Sequence, residues 1–306
     1  MNLAPTETDP HRAVFAATLG STPGRGRLAQ RKVVVVGAGQ RPSPPDESVP
    51  VGNGRAISVL AAREGAAVAC IDAVAAAAEA TVAMIESEGG RAFAAAADVR
   101  DTAAIAPLLA RCADQLGGLD GLVLNVGISR GLPLERLNAD AWDDEFAVNL
   151  RSHMLFAQAA LPLMAEGGAI VLISSLAALR NTSRNPAYEA SKAAQLSLAR
   201  AIAIAGEPKA IRCNAVLPGL MDTPMGRDAT RRRPQRAAAV PFGRKAPAGR
   251  SATRASTCCR MRPATSMPMR WWSMAASAPA WRAARRDARR RREPARRLSP
   301  RDRDCA

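Results

Sequence analysis

Lys32-Val-Val-Val-Val36, closed by Gly37-Ala-Gly39 and followed after residues 40–51 by Gly52-Asn53-Gly54 and the run Arg55-Ala-Ile-Ser-Val-Leu-Ala-Ala-Arg-Glu64, is the stretch on which the fold turns. The first five residues form a β-branched run of strand character, and residues 55–64 carry a helical pattern. Strand, glycine turn and helix in that order let the backbone approach a pyrophosphate, which then rests at the positive end of the helix. Residues 40–51, rich in Pro and acidic side chains, lengthen the turn beyond the usual spacing.

The pattern repeats downstream. Residues 67–71 are a second apolar strand ending at Asp72, about the ~20 residues past the glycine turn expected of an acidic group that bonds the adenosine ribose. A carboxylate there would repel a 2′-phosphate, so NAD is favoured, with NADP as the alternative. A helix over 74–87 and a strand near 92–97 lead to Asp98-Val99. Another helix through 108–116 leads to strand 121–124 and to Asn125-Val-Gly127. Residues 142–160 read as one long helix containing Asn149, and 169–173 as a buried strand delivering Ser174-Ser175. A helix carrying Tyr188 runs to about residue 205, and strand 211–216 ends at Pro218-Gly219. Alternating strands and amphipathic helices predict an α/β fold: a single Rossmann-like, doubly wound parallel sheet flanked by helices.

Tyr188 is the single tyrosine of the chain, and Tyr188-Glu-Ala-Ser-Lys192 puts a lysine on the same helical face. A neighbouring ammonium favours the phenolate. A phenol so lowered towards working pH can exchange a proton with an alcohol or ketone, the work of a general acid/base. Tyr and Lys at this spacing also occur by chance on many helices, so the surroundings decide.

The 306 residues suffice for one large α/β domain or two smaller ones. The formal charge is +16, and the sixteen arginines and four acidic residues from Ala246 onward account for +12 of it. Cys70, Cys112 and Cys213 lie in apolar runs, where buried reduced thiols are expected, and no metal-ligand spacing appears. The N-terminus lacks the apolar segment of a signal peptide and no run is long enough for a membrane span, so a soluble cytoplasmic protein is expected. Residues 1–30, without periodicity, read as a flexible extension.

With these motifs in order, the chain from Arg31 to about Lys245 resembles the short-chain dehydrogenase/reductases. The matching positions are Gly37, Gly52 and Gly54 of the glycine turn, Asp98-Val99, Asn125 with Gly127, Asn149, Ser175, Tyr188 with Lys192, and Pro218-Gly219 followed by Thr223. Gly39, Asn53 and Asp72 complete the expected cofactor contacts. The resemblance implies that Tyr188 exchanges the proton, that Lys192 lowers its pKa and bonds the nicotinamide ribose, and that Ser175 steadies the substrate oxygen. It selects Ser175 over Ser174 by distance from Tyr188, implies an Asn149-held water in a proton relay, and sets Thr223 against the nicotinamide carboxamide. Residues 221–242 would cover the substrate. Departures are the long insertion before Gly52 and Val126, where many members have alanine.

Beyond Lys245 the family's final helix and strand are not visible, and residues 246–306 read as an Arg-rich tail outside the fold, with the last edge strand of the sheet absent. Met269-Arg-Trp-Trp-Ser-Met-Ala-Ala-Ser277 can be encoded so that a one-base offset reads Ala-Leu-Val-Val-Asp-Gly-Gly-Leu, the family's missing ending. A reading-frame shift near Lys245-Ala246 is therefore expected, and with it loss of a surface the family commonly uses for homo-oligomer contacts.

The leading expectation is an NAD-dependent oxidoreductase acting on a secondary alcohol or ketone. The alternatives are an inactive product of the shifted frame and, behind it, nucleic-acid binding through residues 282–303, whose arginines could pair with phosphates. Against the last, the tail lacks tyrosine and phenylalanine and contains no recognised nucleic-acid module.

Overall fold

The computed structural model describes residues 23–42, 51–179, 185–235, 245–259 and 271–272. Seven stretches form one parallel sheet: β1 (Lys32–Val36), β2 (Ala67–Asp72), β3 (Arg91–Ala96), β4 (Leu119–Leu124), β5 (Met164–Ile173), β6 (Arg212–Leu217) and, after a short separate pair, the two-residue Trp271–Trp272. Their order is β3-β2-β1-β4-β5-β6 followed by Trp271–Trp272. The chain moves outward from β1 to β3 and then returns to β4 on β1's other side. That reversal opens a crevice at the carboxyl ends of β1 and β4, where ligands bind in such sheets.

Burial on both faces explains the continuous apolar strands. Val34 and Val36 enter one core and Val33 and Val35 the other. The first core is covered by α3 (Ile105–Leu116), α5 (Ser152–Leu163) and α6 (Pro186–Gly206); α1 (Asn53–Arg63) and α2 (Ala75–Ser87) cover the second. Phe156 of α5 is fully buried, and truncating such a side chain to alanine costs ~3–5 kcal/mol.

The long helix expected over residues 142–160 is three pieces. The α4 helix (Ala139–Phe146) passes through a π-helical turn at Ala147–Arg151 into α5. Asn149 lies in that turn, which no spacing of apolar residues announces. π-Turns of this kind insert one extra residue into the ladder and often mark functional positions.

Both expected domain boundaries move outward. The N-terminal extension does not run to residue 30: Leu28 is 1% exposed and its amide donates to the Glu64 carbonyl. The buried Glu64 carboxylate accepts from the amides of Arg25 and Arg27 at 3.1 and 3.0 Å and from the Arg27 guanidinium at 2.5 Å. Burial pulls the Glu64 pKa up, but these donors outweigh it and hold the carboxyl below its usual range. One leucine and two arginines carry the contact, so no periodicity betrays it.

At the other end, β7 (Met221–Asp222) pairs in parallel with β8 (Ala246–Pro247), and α8 (Gly249–Cys259) packs onto the second core beside α1. Lys245 is therefore not the end of the fold. The buried face of α8 is Ser251, Ala252, Ala255, Ser256, Cys258 and Cys259. Small side chains at helical spacing let two helices approach closely but leave little hydropathy signal, which is why the element was not legible.

The edge strand is reduced to Trp271–Trp272 (β9), paired with Val216 and Leu217. The frame-shift expectation concerns residues of which 260–270 and 273–306 lie outside the described residues, as does the basic segment 282–303. Among the described residues, no helix is long and apolar enough to cross a membrane. Cys70, Cys112 and Cys213, together with Cys258 and Cys259, are buried and unbridged. Burial pushes the Cys70 thiol up to about 12 and the Cys112 thiol to about 11, so both stay protonated.

Candidate functional site

The glycine turn closes despite its insertion. Gly52's amide donates to Gln40 Oε1 at 2.9 Å, pinching residues 40–52 at their base so that Gly37-Ala-Gly39 and Gly52-Asn53-Gly54 meet. Gly37 sits at φ +80, a conformation that favours glycine. A Cβ on Gly54 would fall 1.8 Å from the Gly37 carbonyl oxygen and 2.6 Å from Asn125 Nδ2. Helix α1 therefore approaches the strand end only because no side chain intervenes. Asn125, at the end of β4, donates from Nδ2 to that same carbonyl at 2.7 Å and braces the turn.

The remaining residues expected on the nucleotide side fall around this turn. Asp72 ends β2, and its two carboxylate oxygens accept the amides of Gly39 at 2.9 Å and Val74 at 3.1 Å. Arg55 of α1 is close enough to feel the Asp72 charge; burial lowers its pKa and Asp72 opposes the shift. Asp98 pairs with Arg100 at 3.2 Å on the surface, while the Val99 side chain enters the first core. These two point apart, leaving the backbone between them at the crevice edge.

A nicotinamide dinucleotide fits these residues. The closely packed glycines leave a backbone cradle at the start of α1 that a Cβ would fill. Within it, Asn53 Oδ1 is buried and has no hydrogen-bond partner in the protein. A buried acceptor left orphaned costs roughly 1–3 kcal/mol, a cost that a bound hydroxyl or amide would remove.

The residues expected to handle the proton converge from β5, α6 and the π-turn. Lys192 of α6 is 3% exposed; its Nζ donates to the Ile173 carbonyl at 2.8 Å and lies 5.8 Å from the centroid of the Tyr188 ring. Burial lowers the Lys192 pKa from 10.5 to about 7. Ile173 is the last residue of β5, so the lysine reaches the strand end that delivers the serines. The two serines differ: Ser174 is buried and donates to the Lys192 carbonyl at 2.8 Å, locking α6 to the sheet. Ser175 is half-buried and accepts from the Ala177 amide at 3.2 Å, leaving its own proton to donate.

Asn149 is held on every side. Its Oδ1 accepts the Ile128 amide at 2.8 Å, and its Nδ2 donates to the Ile128 carbonyl at 3.0 Å and to Ser191 Oγ at 3.1 Å. Its carbonyl accepts from Gln195 Nε2 at 2.5 Å. Gly127 opens the space between these groups: a Cβ there would lie 3.3 Å from both Asn149 Oδ1 and Lys192 Nζ.

Sequence reasoning missed the layer behind. Gln195 lies 2.9 Å from His153 Nδ1, and His153 Nε2 lies 3.1 Å from the Val126 carbonyl. Burial lowers the His153 pKa to about 3, so the ring stays neutral. Wholly buried polar residues on two amphipathic helices were the available signal, but burial is not visible in a sequence.

The Pro218-Gly219 segment abuts the serine loop, Pro218's carbonyl accepting the Leu176 amide at 2.9 Å. Thr223 caps α7 (Pro224–Arg232), its Oγ1 accepting the Gly226 amide at 3.1 Å. Capping uses an acceptor lone pair and leaves the hydroxyl proton available. Of the expected cover, residues 236–242 lie outside the described residues.

Known proteins share the sequence pattern and the fold. The family model described as enoyl-(acyl carrier protein) reductase matches residues 51–258. The match begins at the last residue of the insertion and runs beyond Lys245 into α8. The chain is 34% identical over 202 residues to the 3beta-hydroxysteroid dehydrogenase of Mediterraneibacter gnavus, covering 65% of this chain and 69% of that protein. It is 36% identical over 201 residues to the cis-4-hydroxycyclohexanecarboxylate dehydrogenase of Sinomonas cyclohexanicum, covering 65% and 76%. A dehydrogenase/reductase structure from Sinorhizobium meliloti superposes with a TM-score of 0.73 at 30% identity, covering 85% of this chain and 98% of that one. A short-chain dehydrogenase/reductase from Serratia marcescens gives 0.71 at 31% identity, covering 79% and 95%.

Proposed function

The chain belongs to the short-chain dehydrogenase/reductase family of oxidoreductases, and we propose that it interconverts a secondary alcohol and a ketone with Tyr188 as the proton-exchanging group. The observation that carries this reading is the buried Lys192, whose Nζ joins the end of β5 at 2.8 Å and lies 5.8 Å from the Tyr188 ring. A bound nicotinamide dinucleotide supplies the hydride acceptor or donor. Gly37, Gly39, Gly52, Asn53 and Gly54 would hold its pyrophosphate against α1, Asp72 the adenosine ribose, and Asp98-Val99 the adenine edge. Asp72 favours NAD over NADP, since a carboxylate repels a 2′-phosphate.

In oxidation, Ser175 donates a hydrogen bond to the substrate oxygen and orients the alcohol. Tyr188 takes the hydroxyl proton as the hydride leaves the carbon. Protonated Lys192 stabilises the negative charge that the phenol oxygen must carry beforehand, and the low-dielectric surroundings strengthen its effect. Asn149 holds the Ile128 segment and, with Gly127, keeps open the space through which a water would pass the proton on. Thr223, whose hydroxyl proton is left available by its capping role, would help hold the nicotinamide.

Replacing Tyr188 with Phe tests this directly. Turnover on secondary alcohols is expected to fall about 10²–10⁴-fold, with NADH binding, read by fluorescence titration, preserved. Unchanged turnover would sink the assignment.

A further inference from the structure

Above the crevice lies a cavity of about 530 Å³ whose walls include Arg41, Arg100, Arg130, Arg231 and Arg232. They come from separate segments: the glycine turn, the loop after β3, the loop after β4, and α7. Their charge is only partly neutralised by the carboxylates among the described residues. Asp144 serves both Arg100, at 2.7 Å, and Arg130, while Asp98 also pairs with Arg100 and Asp228 with Arg231. Among the described residues these three carboxylates, with Glu145, which accepts the Arg130 amide at 2.6 Å, face five guanidiniums. Arg41 and Arg232 have no carboxylate partner among the described residues, and Arg232 Nη1 spends one proton on the Arg130 carbonyl at 3.3 Å.

The cavity adjoins the segment that Asn149 holds. Its floor includes Ile128, whose amide and carbonyl are both held by Asn149. Its wall includes Ser129, whose hydroxyl accepts from Asn185 Nδ2 at 2.6 Å. Asn185 is the N-cap residue of α6 and stands three positions before Tyr188. A substrate with its reacting carbon at Tyr188 and a chain extending past Ser129 would bring its far end to these arginines.

Guanidinium groups present paired N–H donors that match carboxylate and phosphate oxygens, and clustering them in a concave site concentrates their field on an incoming anion. We propose that this cavity binds a carboxylate or phosphate group carried by the alcohol or ketone substrate, so that the enzyme prefers anionic hydroxy and oxo compounds over neutral ones. The proposal rests on the oxidoreductase reading of the same site and narrows its substrate class. Excess positive charge gathered from four segments serves no packing purpose, since like charges crowded together oppose folding.

The test titrates the full-length protein, saturated with NAD⁺, with 3-oxobutyrate and with its methyl ester. A ketone on the oxidised cofactor cannot react, so binding is read without turnover. The carboxylate is expected to bind at least about tenfold more tightly than the ester, with the preference weakening as salt rises. In Arg232→Met and in Arg130→Met the preference is expected to shrink towards unity while NADH affinity is kept, which shows that both variants fold. Equal binding of acid and ester, or a preference that both variants retain, would overturn the proposal. Tighter binding of NADPH than NADH, lost in Arg41→Met with no acid preference, would assign the arginines to a cofactor phosphate and also overturn it. Wild-type protein that binds neither NADH nor NADPH would refute the oxidoreductase reading itself, separately from the acid–ester comparison.

Discussion

Gln195 donates from Nε2 to the backbone carbonyl of Asn149 at 2.5 Å, tying α6 to the π-turn that interrupts the helix before it. The bond joins the helix carrying Tyr188 and Lys192 to the residue lining the space over Gly127. Its geometry depends in turn on His153, which meets the same side chain at 2.9 Å.

Gln195→Leu should leave the Asn149 carbonyl and His153 Nδ1 buried without partners. A loss of roughly 1–3 kcal/mol per orphaned group is expected in denaturant unfolding. Turnover should fall while NADH affinity holds, because the substitution lies far from the glycine turn. Unchanged kcat would show that Asn149 keeps its position without this support.

Gly54→Ala places a methyl group 1.8 Å from the Gly37 carbonyl oxygen, a backbone atom with nowhere to yield. NADH affinity should drop at least about tenfold as α1 is pushed off the turn. Titration by fluorescence transfer reads this, and an unaltered dissociation constant would mean that the cofactor does not rest on α1.

Lys192 makes stability depend on pH in a definite direction. Its folded pKa, about 7, lies below the 10.5 of the unfolded chain. Between these values the unfolded state holds a proton that the folded state does not, so stability rises with pH across that window. Below pH 7 both states are protonated and the cost of the buried charge is fully present. Lys192→Met should therefore be the more stable protein at about pH 6, by on the order of a few kcal/mol. The gap should close by about pH 10, with turnover lost throughout. Parallel unfolding curves for the two proteins at all pH values would contradict the buried-charge argument.

Helix α8 carries the opposite expectation from a detached tail. Ala255 is wholly buried beside α1, so Ala255→Leu should cost ~1–3 kcal/mol by overpacking. Amide exchange across residues 252–259 should be slowed comparably with α1. Exchange as fast as an unfolded peptide would return the boundary to Lys245.

Much of the fold was legible before any coordinates. The valine run Val33–Val36, buried on both faces, and the alternation of strands with helices leave few parallel topologies open, and the order of motifs from Gly37 to Thr223 names the family. Tyr188, Lys192 and Ser175 stood out because their spacing is local to one helix or one strand end. Residues whose partners are distant did not. Leu28 and Glu64 are bound across 36 positions of chain, and α8 hid behind Ala, Ser and Cys whose hydropathy is weak.

The sequence by itself determined what depends on short-range order: strand and helix periods, the glycine turn, the Tyr188–Lys192 spacing and the unequal distribution of charge. Tertiary structure alone decided how Gln40 and Gly52 close the insertion, how the π-turn aims Asn149, and how arginines from four segments surround one cavity. The physical reason is that these relationships are set by packing and hydrogen bonds between elements far apart in the chain, where distance, burial and local dielectric, rather than residue type, choose the partner.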